Sequence, residues 1–99
     1  MNTSVLVVDD AHLFRTGLAA ALARAGFSVA GEASDAESAV SLAEEMQPDL
    51  VVLDILMPGM DGLELCRRLR AKSQALPIVF VTSKDDELDR VLGLELGAD

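Results

Sequence analysis

Basic residues are scarce in this chain. Eight Lys and Arg stand against seventeen Asp and Glu, a formal net charge of −9 over 99 residues. Phosphate backbones are held by basic patches, so direct contact with nucleic acid is excluded as the business of this segment. A surplus of acid suits the binding of cations or of basic protein surfaces. There is a single cysteine, Cys66. It has no internal disulfide partner, which points to a reducing compartment. No basic stretch followed by an apolar one opens the chain, as a signal peptide requires, and no apolar run approaches bilayer length. Linkers, repeats and low-complexity segments are also missing. The expected setting is one soluble cytoplasmic domain with no membrane contact.

What is present is an alternation of strand and helix signals. Hydrophobic residues make up 51% of the chain, which argues against disorder. Ser4-Val5-Leu6-Val7-Val8 and Leu50-Val51-Val52-Leu53 are short, β-branched and almost wholly apolar. Strands buried on both faces of a parallel sheet read this way. After the first, Phe14, Leu18, Ala21, Leu22 and Ala25 recur at helical spacing up to Gly26. Phe27 to Ala33 reads as a second strand. Ser34 and Glu37 form a capping-box signature before a helix with Ala36, Ala39, Val40, Ala43 and Met46 on one face, stopped by Pro48. The turn-rich loop Met57-Pro58-Gly59-Met60-Asp61-Gly62 precedes a third helix with Leu63, Cys66 and Leu69 inward and Arg67, Arg68, Arg70 and Lys72 solvated. Pro77 introduces a fourth strand, Ile78-Val79-Phe80-Val81, ending at Thr82-Ser83. Asp85-Asp86-Glu87 suits the start of a fourth helix that buries Leu88, Val91, Leu92 and Leu96. Such alternation implies right-handed βαβ units and an α/β, doubly wound parallel sheet.

Acidic residues end two of the strands: the pair Asp9-Asp10 and the lone Asp54. Open α/β sheets bind ligands beyond the carboxyl ends of their strands. If the first and third strands are neighbours, about 4.8 Å apart, these carboxylates converge and repel unless a cation joins them. Mg²⁺ answers that need, since it takes oxygen ligands, keeps water and bridges carboxylates to phosphate oxygens. An ionised Asp beside the metal can attack phosphorus to give an aspartyl-phosphate. Capping of the first helix by Asp9 or Asp10 is the competing reading. Asp54 in register with them favours the metal site.

The acidic pair, Asp54 with the loop Ile55 to Gly62, and Thr82-Ser83 together resemble the bacterial response-regulator receiver domain. The resemblance runs in order and spacing over essentially the whole chain. It implies a flavodoxin-like topology with strand order 2-1-3-4. It implies that Asp54 is the phosphoacceptor, served by the phosphohistidine of a sensor histidine kinase or by a phosphotransfer protein. Asp10, Asp54 and the backbone carbonyl of Leu56 then ligate Mg²⁺, with Asp9 acting through water. Thr82 and Ser83 become switch positions, and Leu56 and Lys84 the positions that tune phosphoryl lifetime. The family continues past Asp99 into a fifth strand and helix, whose lysine pairs with the phosphoryl group. No residue here takes that role, Lys84 included, so residues 1–99 read as a C-terminally incomplete receiver domain. The fourth strand would then be an open edge, inviting self-association.

The function expected is phosphoryl acceptance in two-component signalling, without substrate turnover. The alternative is a truncated or engineered fragment that serves as an assembly module. A Mg²⁺-dependent phosphatase would place a second acid two residues after its nucleophile, where Leu56 stands. His12 reads as solvated or half-buried, Cys66 as core, and Asp61 as a cap of the third helix or a shaper of its turn. Met57 and Met60 read as loop anchors.

Overall fold

The four apolar runs form the strands of one sheet in the computed structural model, which describes residues 2–54 and 62–81. They are β1 Ser4–Val8, β2 Ser28–Ala33, β3 Leu50–Asp54 and β4 Ile78–Val81. The helices between them are α1 His12–Arg24, α2 Ala36–Met46 and α3 Gly62–Lys72. All pairings are parallel, in the order β2-β1-β3-β4. Strand order and fold class are as the sequence led us to expect. The loop 55–61 and everything after Val81, including the expected fourth helix and the neighbourhood of the β4 edge, lie outside the described residues.

Alternation along the central strands divides the core in two. Leu6, Val8, Val51, Leu53 and Ile78 pack against α2 and α3 through Ala39, Leu65, Cys66 and Leu69. Val5, Val7 and Val52 pack against α1 through Ala19, with Leu18 and Leu22 beside it. β1 and β3 are therefore covered on both sides, which is why their sequences are continuously apolar.

Three side-chain assignments change. Along α1 the inward row is Arg15, Leu18, Ala19 and Leu22, while Ala21 and Ala25 are exposed. A row at i, i+3, i+4, i+7 can start on a charged residue when its aliphatic stem packs and its head finds partners. Along α3 the row is Gly62, Leu65, Cys66 and Leu69, which turns Leu63 outward at 65% exposure. Arg70 is half-buried and donates from Nη1 to the Leu76 carbonyl, so it is not merely solvated. Arg67 and Lys72 are exposed as expected, in ion pairs with Glu64 and Glu44.

The cap of α2 also differs. Asp35 is the N-cap, and its Oδ1 accepts from the Ser38 amide at 2.8 Å. Ser34 sits one residue too early, and a carboxylate at Asp35 reaches the free amide of the first turn. At the end of α1, Gly26 takes φ +105° and a paired turn forms. Its amide donates to Ala23, and that of Phe27 to Leu22, closing a Schellman motif. α2 ends instead on Gln47, held at φ 48°.

β2 carries one irregularity. Val5 pairs with Val29 but Leu6 pairs with Gly31, so Ala30 is an extra residue in the ladder. A bulge of this kind reverses which face each later side chain takes. Val29 lies on the α1 side. Gly31 is set against Leu42 and Met46 of α2, where a Cβ would stand 3.3 Å from the Met46 sulfur. Glu32 returns to the α1 side, and Ala33 packs with the α2–α3 cluster.

Candidate functional site

Asp9 and Asp54 are the next residues after the paired positions Val8 and Leu53 on adjacent strands. Val7 and Val52, two residues earlier, both face α1. Asp9 and Asp54 thus share the α1 face at the carboxyl edge of the sheet, on strands about 4.8 Å apart. Their exposures are 0% and 1%, and among the described residues they are the two buried polar or charged side chains. Strand pairing alone therefore sets two carboxylates side by side at the place where this class of sheet binds ligands.

The Asp9 carboxylate is half used. Oδ1 accepts from the Ala11 amide at 2.9 Å, whereas Oδ2 is buried with no hydrogen-bond partner. Its amide donates to the Ala33 carbonyl at 3.0 Å, which extends the β1–β2 ladder by one rung. A buried carboxylate oxygen without a donor is costly and calls for a cation or a bound water. Asp10, one residue further, is exposed. Neither acid caps α1 by side chain: the N-cap is Ala11, which offers none.

Arg15 bonds beside this pair, but its three nitrogens go elsewhere. Nε bonds Glu32 Oε1 at 3.1 Å, Nη1 donates to the Asp9 main-chain carbonyl at 2.8 Å, and Nη2 lies 3.1 Å from His12 Nδ1. Glu32 thereby balances its charge. Neither Arg15 nor Glu32 was singled out by sequence reasoning. The usable signal was a charged residue in the first place of an inward helical row. His12 is exposed and Cys66 is buried in the core, as expected for both.

Among the described residues no group of three or more His, Cys, Asp and Glu side chains closes into a ready-made metal cage. Mg²⁺ does not require one. It usually keeps several waters and takes one or two carboxylates, completing its shell with phosphate oxygens. Two buried carboxylates on one face, one with an open oxygen, and an exposed third beside them fit that habit. Val81, the last described residue of β4, pairs with Asp54. Thr82, Ser83, Lys84, Leu56, Met57, Met60 and Asp61 lie outside the described residues.

At the opposite edge, a cavity of about 550 Å³ lies between the ends of α2 and α3, lined by Gln47, Pro48, Leu69 and Leu76 among others. It borders the entries to β3 and β4 and has no part in the carboxylate site.

Comparison with known proteins gives a consistent picture. The family model for the response regulator receiver domain matches residues 5–99. The alkaline phosphatase synthesis transcriptional regulatory protein PhoP of Bacillus subtilis is 50% identical over the whole chain, which spans 41% of that protein. The chain thus covers about two fifths of this relative's length. A two-component response regulator of the LuxR family from Aurantimonas superposes with a TM-score of 0.78 at 34% identity, over 86% of this chain and 61% of that one. A CheX–CheY–BeF3–Mg²⁺ complex from Borrelia burgdorferi gives 0.76 at 26% identity, over 88% and 68%.

Proposed function

This chain belongs to the response-regulator receiver family, and on that premise we propose that Asp54 accepts a phosphoryl group from the phosphohistidine of a sensor histidine kinase or phosphotransfer protein. The observation that carries the reading is the buried pair Asp9 and Asp54 on one sheet face, with Asp9 Oδ2 left open. The donor phosphorus would form a bond to a carboxylate oxygen of Asp54 as its bond to imidazole nitrogen breaks. The electron pair returns to the ring. Acceptance is stoichiometric, and no substrate is turned over.

Asp10 and Asp54 would hold Mg²⁺ directly with the Leu56 carbonyl, and Asp9 through a water bound at Oδ2. When bound, Mg²⁺ would offset the negative charge of the phosphoryl oxygens and of the carboxylates that hold it. Asp9 is fixed at Oδ1 by the Ala11 amide, which leaves Oδ2 for that water. Thr82, Ser83 and Lys84 would meet the bound phosphoryl group from the end of β4. The relatives that match are transcriptional regulators, so this segment is proposed to be the receiver part of such a regulator, acting in the cytoplasm. Among the described residues no helix is long and apolar enough to cross a membrane.

Incubation with Mg²⁺ and a small-molecule phosphodonor, followed by intact-mass measurement, tests the reading. A single phosphoryl adduct on the wild type, lost in Asp54→Asn, is the expected result. An unmodified wild type, or an adduct that survives Asp54→Asn, overturns it.

A further inference from the structure

Arg15 lies on the inward row of α1, its side chain only 14% exposed, yet its nitrogens meet Glu32, the Asp9 main-chain carbonyl and His12 rather than a carboxylate of the site. Its Nη1 instead holds the main-chain oxygen of Asp9 at 2.8 Å. That oxygen belongs to the peptide unit that joins Asp9 to Asp10. The unit is planar, so fixing its oxygen fixes the direction in which both acidic residues leave it. Outside the ladder rung from the Asp9 amide to Ala33, the main chain at this point has left regular structure. The Asp10 carboxylate would otherwise be free to turn with it, whereas Asp9 is held besides by the Ala11 amide.

The guanidinium is itself held from two sides. Glu32 on β2 takes Nε, and His12 on the first turn of α1 meets Nη2. Glu32 faces Arg15 because the ladder passes over Ala30: were Ala30 paired opposite Leu6, Glu32 would fall on the α2 side. A strand irregularity, an ion pair and a helix row therefore combine to aim one peptide oxygen.

We propose that Arg15 is a positioning residue for the Mg²⁺ site: through the Asp9 carbonyl it orients the Asp9–Asp10 peptide, and hence the two carboxylates, for metal binding. The proposal rests on the metal-site reading above. A lysine cannot replace it, since three separate partners in three directions need the planar fork of a guanidinium.

The sign of the effect separates positioning from its rivals. Removing a positive charge near a cation site by electrostatics alone tightens Mg²⁺ binding. A residue that serves only to stabilise the fold lowers the melting temperature and leaves the affinity of the folded protein unchanged. Loss of orientation weakens binding. Calorimetric titration with Mg²⁺ at fixed ionic strength, on wild type, Arg15→Gln and Arg15→Lys, reads this out, with folding of each variant checked by circular dichroism. Arg15→Lys keeps the charge and the aliphatic stem, so it remains informative if Arg15→Gln does not fold. The Kd is expected to rise about three- to tenfold in both, less than the ~10–100-fold loss seen when groups bonded directly to ligands are removed. Wild-type or tighter affinity in either folded variant overturns the proposal. Absence of Mg²⁺ binding by the wild type overturns the metal-site reading itself, and the proposal with it.

Discussion

Ser4 and Asp49 latch β1 to the entry of β3 across 45 residues of chain. Ser4 donates from its amide and hydroxyl to Asp49 Oδ2 at 2.9 and 3.2 Å, and the Asp49 amide reaches back to Ser4 Oγ at 2.9 Å. This latch lies at the end of the sheet opposite the carboxylates. Asp49→Ala removes the acceptor for two of these bonds, and a loss of about 1–2 kcal/mol is expected. Urea denaturation measures it, and an unchanged midpoint would show that water replaces the latch without cost.

Crowding of Asp9 and Asp54 predicts opposite responses with and without metal. In the absence of divalent cations, Asp9→Asn or Asp54→Asn relieves like-charge repulsion and should raise stability by on the order of 1 kcal/mol. Mg²⁺ at about tenfold above its Kd should stabilise the wild type by ~1.4 kcal/mol, and each variant by less. Melting curves with and without Mg²⁺ decide the matter. Equal gains for wild type and Asp54→Asn would place the ion elsewhere.

The Asp35 carboxyl is held below the ordinary carboxylate range, first by the Ser38 amide and then by the Ser38 side chain. Its folded pKa is depressed, so its contribution is present above the unfolded value of about 3.9 and is lost as pH falls through the folded value. Asp35→Asn keeps an acceptor at the cap and should flatten the stability–pH curve below about pH 4. Asp35→Ala should lower the melting temperature at neutral pH. Parallel curves for wild type and Asp35→Asn in acid would contradict the assignment.

Gln47 occupies the left-handed region at the end of α2. A side chain there costs roughly 1–2 kcal/mol, part of which is cancelled by the greater chain entropy that glycine loses on folding. Gln47→Gly is therefore expected to stabilise by about 0.5–1 kcal/mol. Denaturant titration checks the sign.

The fold was largely legible because β1 and β3 are covered on both sides, which leaves continuous apolar runs that nothing else explains. Asp9 and Asp54 were legible for the same reason: each is the first charge after such a run. Helix faces were read less well. Leu63 is apolar and exposed, and Arg15 is charged and inward, so a row defined by hydrophobicity alone misplaces both. Asp35 was overlooked for Ser34 because a one-residue shift leaves the capping pattern nearly intact. The Ala30 bulge carries no composition signal, and with it the meeting of Glu32 and Arg15 was hidden.

That bulge makes the length of β2 a carrier of information independent of its residues. Adding one residue between Gly31 and Glu32 would leave a segment just as apolar and just as strand-like. Yet that insertion would make Glu32 and Ala33 exchange sides, setting a carboxylate against the α2–α3 core and stripping Arg15 of its anchor. Removal of Ala30 keeps Gly31 opposite Leu6 and Glu32 on the α1 side, and should be tolerated far better than that insertion. Along this strand, selection acts on counting as well as on chemistry.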